Sequence, residues 1–418
     1  MEQNGITPIA QALFACAAKA GASEHKRLHF IDLPDIIFDL ARSIAEGNYR
    51  PQAFTVFAVT DPKLREIFAP AFADRLAQQW LVQQIEPWWN KRFIDDSYAN
   101  RKGKGTQAAV ARVQGMMRQP GHRWYCKMDI RAFFPSIDRG LLLEIWQHAL
   151  PKMKCSAVQR AQLDQVARAI LAQSPVEPPP RMSGRRDLLL RIPPHKSLYH
   201  APPGIGLPIG SLSSQFFANV YLNELDKYVK HQLKVRAYVR YVDDFVILAE
   251  SPEVLVVHMR HISAFLQERL RLQLHPHKTV IQRANQGLDF LGNVIYPHHL
   301  LVRQRSVRAL RQRIAWFKWL VFGAEHVRAV PPPAGGRWPA WLKNHTALIA
   351  PQTPSAALLQ KMLACLNSYY GLFGHAQTRN LREHIYQHEL GPLKRFFMPD
   401  GPHYRSLHIR AVWRDYTG

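Results

Sequence analysis

Cysteine is scarce and scattered: Cys16, Cys126, Cys155 and Cys365 are the four in 418 residues, with no CxxC pair and no Cys/His cluster. That argues against a disulfide framework or a zinc site and suits a reducing compartment. Long apolar runs are missing too. Nothing approaches the roughly 18 consecutive apolar residues that mark a membrane-spanning helix, so no membrane partner is expected and a cytoplasmic location is. The start MEQN has no basic residue, and Pro8 and Gln11 interrupt the apolar stretch ITPIAQALFAC, so no secretion leader is expected. No repeat of fixed period is visible, and low complexity is confined to short proline runs. Acid is the last shortage: 31 Asp+Glu stand against 55 Lys+Arg, a net charge of +24. Such a balance favours an anionic partner, above all nucleic acid.

What is present is an ordinary apolar fraction of 47%, enough for a large core and two or three structural units. Residues from about 1 to 60 read as helical and then extended at FTVFAV, and the pattern from Arg65 to Trp89 reads as helical again. The basic, glycine-punctuated SYANRKGKGTQAAVARVQ leads to a strand, RWYCKMDI, an aromatic turn, RAFFPSI, and a helix from Arg139. Between Ser174 and Gly210 proline, arginine and glycine dominate, which reads as an insertion or long surface loop. The serines of GSLSSQ cap a following helix, in which Phe217, Val220, Tyr221, Leu225, Tyr228 and Val229 mark a buried face. A helix over Pro252–Leu270 precedes strand-like LQLHPHKTVIQ and GLDFLGNVIY. Beyond these, Val307, Leu310, Ile314, Phe317 and Val321 form an apolar stripe on an arginine-rich helix, and another helix spans about Ser355 to Phe373. Strands among helices argue an α+β fold.

The stretch VRAYVRYVDDFVILAE sets two acids, Asp243 and Asp244, inside an apolar run, where a hairpin would carry them at its tip. A solvated turn is the ordinary explanation for such a pair. Asp129 changes the balance, because it ends another apolar strand, WYCKMD. Two unit charges about 4 Å apart repel by about 4 kcal/mol at an effective dielectric near 20, so three converging carboxylates need a cation. Hard oxygen ligands suit Mg²⁺, and a pair of such ions supports in-line phosphoryl transfer.

These segments resemble the motifs of reverse transcriptases. MDIRAFFPSID is similar to motif A, GLPIGSLSSQFFANVYLNELD to motif B, YVDD to motif C, LHPHKT to motif D and FLGNVIY to motif E. GNYRP, DPKLREIFAPAFADRLAQQWL and SYANRKGKGT resemble the fingers of bacterial members, and LNSYYGLFGHAQTRNLR resembles their thumb, so the likeness runs over roughly residues 45–390. It implies a right-hand polymerase: an N-terminal segment and fingers over 1–120, a palm over 121–295 with the insertion at about 174–205, and a helical thumb and tail over 296–418. It also implies RNA-directed DNA synthesis with two Mg²⁺ ions, or Mn²⁺ in their place. Asp129 and Asp243 would hold the metals, Asp244 would assist and the Ile130 carbonyl would complete a site. Lys63 and Arg65 match positions that contact the incoming triphosphate, and Lys278 matches the lysine proposed to protonate pyrophosphate; the alternative for each is a solvated surface charge. Phe134, five residues after Asp129, falls at the sugar gate, with a core aromatic as its alternative.

Motif B departs from the common Gln-Gly-x-x-x-Ser-Pro pattern, since Ile209, Gly210 and Gln215 read Ile-Gly-x-x-x-Ser-Gln. That variant looks like diversity-generating retroelements and related antiphage-defence enzymes. An isoleucine there loosens checking of the nucleotide, while Gly210 lets backbone approach it. Arg303, Arg305, Arg308, Arg311 and Arg313 would track a template–primer backbone. Trp316, Trp319, Trp338 and Trp341 are candidates for stacking on bases, with core packing as the alternative. The partners implied are an RNA template (a dedicated noncoding RNA), the DNA product, deoxynucleoside triphosphates, and an accessory protein or second reverse transcriptase. Two other classes stay open: a noncatalytic, maturase-like RNA-binding protein and an RNA-copying RNA polymerase.

Overall fold

Apolar periodicity sets the first helices of the computed structural model, which describes residues 3–19, 32–60, 63–323 and 354–413. Helices α1 (Gln3–Lys19) and α2 (Leu33–Ala45) pack on each other and on α3 (Phe72–Asn90), burying Leu13, Ile37, Ile44, Leu81 and Ile85. Between α2 and α3, strands β1 (Thr55–Val59) and β2 (Arg65–Ala69) form an antiparallel hairpin with Thr55 opposite Ala69. A helix from Arg65 was the expectation; the residues to Ala69 are strand instead. Pro70 disfavours helical backbone at Ala69, and Glu66 and Phe68 alternate inward against exposed Arg65, so helix begins only at Phe72.

The next strand, β3 (Trp124–Asp129), and helix α4 (Arg139–Ala149) follow as the sequence suggests, with Asp138 capping α4 by accepting the Leu141 N–H at 3.0 Å. After α5 (Ala157–Ala172), the Pro/Arg/Gly-rich segment is more than a surface loop. Its strand β4 (Arg181–Met182) joins β1 in parallel, giving the order β2-β1-β4. Leu189, Ile192 and Leu198 bury against Phe54, Val56 and Phe68. Apolar anchors spaced among the prolines explain the difference, each contributing roughly 1.5–3 kcal/mol on burial. The Ser197 hydroxyl donates to buried Glu66 at 2.8 Å, and the Leu198 N–H donates to its other oxygen.

Helix α6 (Leu212–Lys227) is capped by Ser211, as expected, and buries most of its circumference. Strands β5 (Tyr238–Tyr241) and β6 (Asp244–Ala249), then helix α7 (Pro252–Leu270) and strand β7 (Val280–Arg283), complete a four-stranded sheet of order β5-β6-β3-β7. The strands β6 and β3 are interior, and α7 packs on both, so Phe245 to Leu248 are all buried. These parts belong to one compact unit, Met1–Ala109 with Trp124–Gln282.

A second unit comprises Val110–Arg123 and Arg283–Gly418. It holds β8 (Leu288–Phe290), β9 (Asn293–Ile295) and β10 (Leu300–Val302) as an antiparallel sheet, then α8 (Gln304–Phe322) and α9 (Ala356–Gly374). The hairpin of β11 (Phe397–Pro399) and β12 (Leu407–Ile409) packs on α9. All five stripe residues of α8 are buried, and so is Trp316, while Trp319 packs at the edge of this core. Trp338 and Trp341 lie outside the described residues. Helices with antiparallel sheets make the fold α+β, and among the described residues no helix is long and apolar enough to cross a membrane.

Candidate active site

The pairing of β3 with β6 puts Asp129 directly opposite Asp244. One residue on, the Ile130 N–H donates to the Asp243 carbonyl at 3.2 Å. That bond makes Asp129 and Asp244 a non-hydrogen-bonded pair, the kind that brings Cα atoms to about 4.5 Å and side chains closest. The hairpin of β5 and β6 pairs Tyr241 with Asp244, which leaves Val242 and Asp243 as its two-residue turn. Val242 has φ +55°, a strained conformation for a β-branched residue. Two distant segments therefore bring three acids to one sheet end.

Their proximity is felt electrostatically. Burial, the charge of Asp244 and the charge of Asp129 together push the Asp243 carboxyl from 3.8 up to about 6. Lys278 relieves part of the crowding, because its Nζ donates to both oxygens of Asp129 at 2.8 and 2.9 Å. No three His, Cys, Asp or Glu side chains form a ready-made metal cage among the described residues. The donors nevertheless fit a hard divalent cation. All are carboxylate oxygens, two face each other across a strand pair, and the repulsion that Lys278 leaves between them is what such a cation removes.

Motifs A and B are stitched together by backbone. The short helix Phe133–Ser136 starts after Ala132, at φ +44°, and half-buried Phe134 packs edge-on against Phe133. The Phe134 carbonyl accepts the Leu207 N–H at 2.8 Å, and the Ile137 carbonyl accepts the Gly206 N–H at 2.7 Å. Motif B is joined in turn to the β1–β2 hairpin, since the Phe68 N–H donates to the Ile209 carbonyl at 2.8 Å. Gly210, at φ +118°, lies against that strand, and a Cβ there would stand 2.7 Å from Ile67 Cγ2 and 2.9 Å from the Phe68 carbonyl. Packing against β2 thus requires glycine, whatever nucleotide approach adds. Arg65 is exposed at the start of the same strand, exposed Lys63 lies two residues before it, and Gln215 is exposed on the first turn of α6.

The five arginines expected on the template–primer path divide. Arg303 pairs with Asp289, and Arg311 grips Glu389 with Nε and Nη2 at 2.7 to 3.0 Å. Half-buried Arg313 donates to the Tyr369 hydroxyl at 3.3 Å and lies 5.7 Å from the Trp316 ring centroid. Arg305 and Arg308 are exposed.

Sequence reasoning missed the group behind the turn. Arg240, a β5 residue with no exposed surface, forms an ion pair with equally buried Asp226. Alternation along VRAYVRY gave no sign that this position faces inward. Tyr241, next in the chain, receives a 3.3 Å hydrogen bond from Thr106 at its hydroxyl.

A family model described as reverse transcriptase (RNA-dependent DNA polymerase) matches residues 60–295, more than half of the chain, spanning motifs A to D in full and all but the last residue of motif E. The chain belongs to the reverse transcriptase family. Its fold is accordingly the right-hand polymerase fold, and its catalytic class is RNA-directed DNA polymerase. Curated relatives include Protein YkfC of Escherichia coli, 26% identical over 304 residues, 64% of this chain and 71% of that protein. Group II intron-encoded protein LtrA of Lactococcus lactis is 23% identical over 318 residues, 60% of this chain, which spans about half (48%) of LtrA. Among solved structures, telomerase from Candida albicans in complex with a TWJ fragment of telomeric RNA overlays with a TM-score of 0.43 at 9% identity, covering 82% of this reverse transcriptase and 60% of that chain.

Proposed function

We propose that this reverse transcriptase makes cDNA on a dedicated noncoding RNA by two-metal nucleotidyl transfer, in a bacterial diversity-generating retroelement or an antiphage defence system. The observation that carries the chemistry is the register of Asp129 on Asp244, with the Asp243 carboxyl pushed upward by burial and by both neighbours. Asp129 and Asp243 would hold the metals, Asp244 would assist, and the Ile130 carbonyl would complete the set. When bound, two Mg²⁺ ions supply an activated primer hydroxyl and neutralise charge on the leaving pyrophosphate. The protein's own side chains position the rest. Lys63 and Arg65 take the triphosphate, and Ile209, Gly210 and Gln215 contribute to the nucleotide site. Lys278, whose Nζ donates here to both oxygens of Asp129, would be the proton donor to the leaving pyrophosphate. Phe134 leaves no room for a ribose 2′-hydroxyl. The retroelement or defence setting is supported by the Ile-Gly-x-x-x-Ser-Gln form of motif B.

Primer extension on an RNA template with Mg²⁺ tests the reading. Wild type extends with deoxynucleotides, and Asp243→Asn and Asp129→Asn each lose activity by about 10³-fold or more. Extension retained by both variants contradicts the assignment, and a wild type that incorporates no nucleotide favours a maturase-like RNA-binding role. Phe134→Ala should admit ribonucleotides; unchanged sugar selection removes the gate.

A further inference from the structure

Among the described residues, Arg240 is the largest charged side chain buried without any exposed surface, on a strand that otherwise turns apolar groups inward. A guanidinium carries five N–H donors in a planar fork. All five are used. Nε donates to Asp226 Oδ1 at 2.8 Å, and Nη2 donates to Asp226 Oδ2 at 2.6 Å and to Ser97 Oγ at 3.1 Å. Nη1 donates to Asn219 Oδ1 at 3.1 Å and to the Val242 carbonyl at 3.0 Å. The Arg240 backbone extends the connection, its N–H donating to the Asp96 carbonyl and its own carbonyl accepting the Tyr98 N–H, each at 3.0 Å. Asn219 in turn donates to the Ala99 carbonyl at 2.8 Å, and Tyr238 donates its hydroxyl to Asp226 at 2.7 Å.

One cation thus ties three pieces together: helix α6 through Asn219 and Asp226, the 96–99 loop, and the turn that carries Asp243. Stability alone does not call for this, since a buried ion pair is often replaceable by apolar groups without loss. What an apolar side chain cannot do is hold the carbonyl of a residue at φ +55°. We propose that Arg240 is a positioning residue, fixing the strained Val242–Asp243 turn so that the Asp243 carboxylate stands where the metals are to be bound, and locking that turn to α6 and the 96–99 loop. The inference rests on the two-metal reading above. Lysine keeps the charge but gathers its donors on one nitrogen, which cannot span Asp226, Ser97, Asn219 and Val242 together.

The test compares full-length wild type, Arg240→Lys, Asn219→Ala, Ser97→Ala and Asp243→Asn. Mn²⁺ binding is titrated by electron paramagnetic resonance, beside the Mg²⁺ midpoint of primer extension, kcat and KM for the deoxynucleotide, and the melting temperature. Arg240→Lys should weaken Mn²⁺ binding and raise the Mg²⁺ midpoint by about 10-fold, as expected when a residue supporting a metal ligand is lost. It should lower kcat with KM little changed. Asn219→Ala and Ser97→Ala should move both metal readouts in the same direction by a smaller factor. A merely structural role lowers the melting temperature or the active fraction and leaves Mn²⁺ affinity and the Mg²⁺ midpoint at wild-type values, and that result overturns the proposal. Should Arg240→Lys not fold, unchanged metal readouts in both milder variants overturn it equally. If wild type and Asp243→Asn bind Mn²⁺ alike, the two-metal reading itself fails; if they differ while Arg240→Lys matches wild type, only the positioning role fails.

Discussion

At the scale of single residues, Asp243 concentrates the electrostatic cost of the site. Its carboxyl keeps a proton in the folded state at pH values where the unfolded chain has lost it. Between about pH 4 and pH 6 the folded state therefore binds more protons, and stability in the absence of metal falls as pH rises through that window. Asp243→Asn should then melt higher than wild type at pH 7.5 in a chelator, with the gap narrowing toward pH 4, and Mg²⁺ should reverse the order at pH 7.5. A variant no more stable than wild type in chelator at pH 7.5 contradicts the crowding of the three acids. Because metal must displace the proton, Mn²⁺ binding near pH 6 should release protons, detected by calorimetry in buffers of differing ionisation enthalpy. The acids were legible in the sequence because a charge inside an apolar strand stands out, and two such strands invite comparison. Arg240 was not legible. A lone cation in a strand reads as solvent-facing, and its partners Asp226 and Ser97 lie 14 and 143 residues away, a meeting only tertiary structure creates.

Among the elements, the stitch between motif B and β2 carries the next prediction. Gly210→Ala forces a Cβ onto Ile67 and the Phe68 carbonyl from a backbone at φ +118°. The expected cost is about 1–3 kcal/mol, with a raised KM for the deoxynucleotide, read by thermal denaturation and steady-state kinetics. Leu198→Ala should loosen the cover formed by the proline-rich segment by about 2–5 kcal/mol, seen as faster amide exchange over residues 181–200 while β3 and β6 keep their protection. Helix positions were largely legible, since the capped starts at Ser211 and Ser355 and the apolar stripe of α8 follow local rules. The strand at Arg65 and the folding of the proline-rich segment were not. The first turns on Pro70 and a hairpin partner, the second on a small core contributed by Phe54, Val56 and Phe68.

For the whole molecule, the net charge of +24 sets the mode of association with nucleic acid. If about six to ten phosphates are contacted, affinity for a template–primer should fall about 10³–10⁵-fold between roughly 50 and 200 mM salt. The thumb arginines sharpen this. Arg305→Ala and Arg308→Ala, at exposed positions, should each flatten the slope of log affinity against log salt by about 1. Arg311→Ala, which breaks the grip on Glu389, should change the melting temperature slightly and leave the slope alone. Equal slopes for all three variants would remove Arg305 and Arg308 from the nucleic-acid path. The claim that organises everything else is that Asp129 and Asp243 share divalent metal. Crystals of the enzyme with an RNA–DNA primer–template and a nonhydrolysable deoxynucleotide, grown in Mn²⁺, test it through anomalous scattering. Manganese peaks are expected between these two carboxylates, with Lys278 drawn away from Asp129. Density without such peaks, with Lys278 still on Asp129, would contradict it.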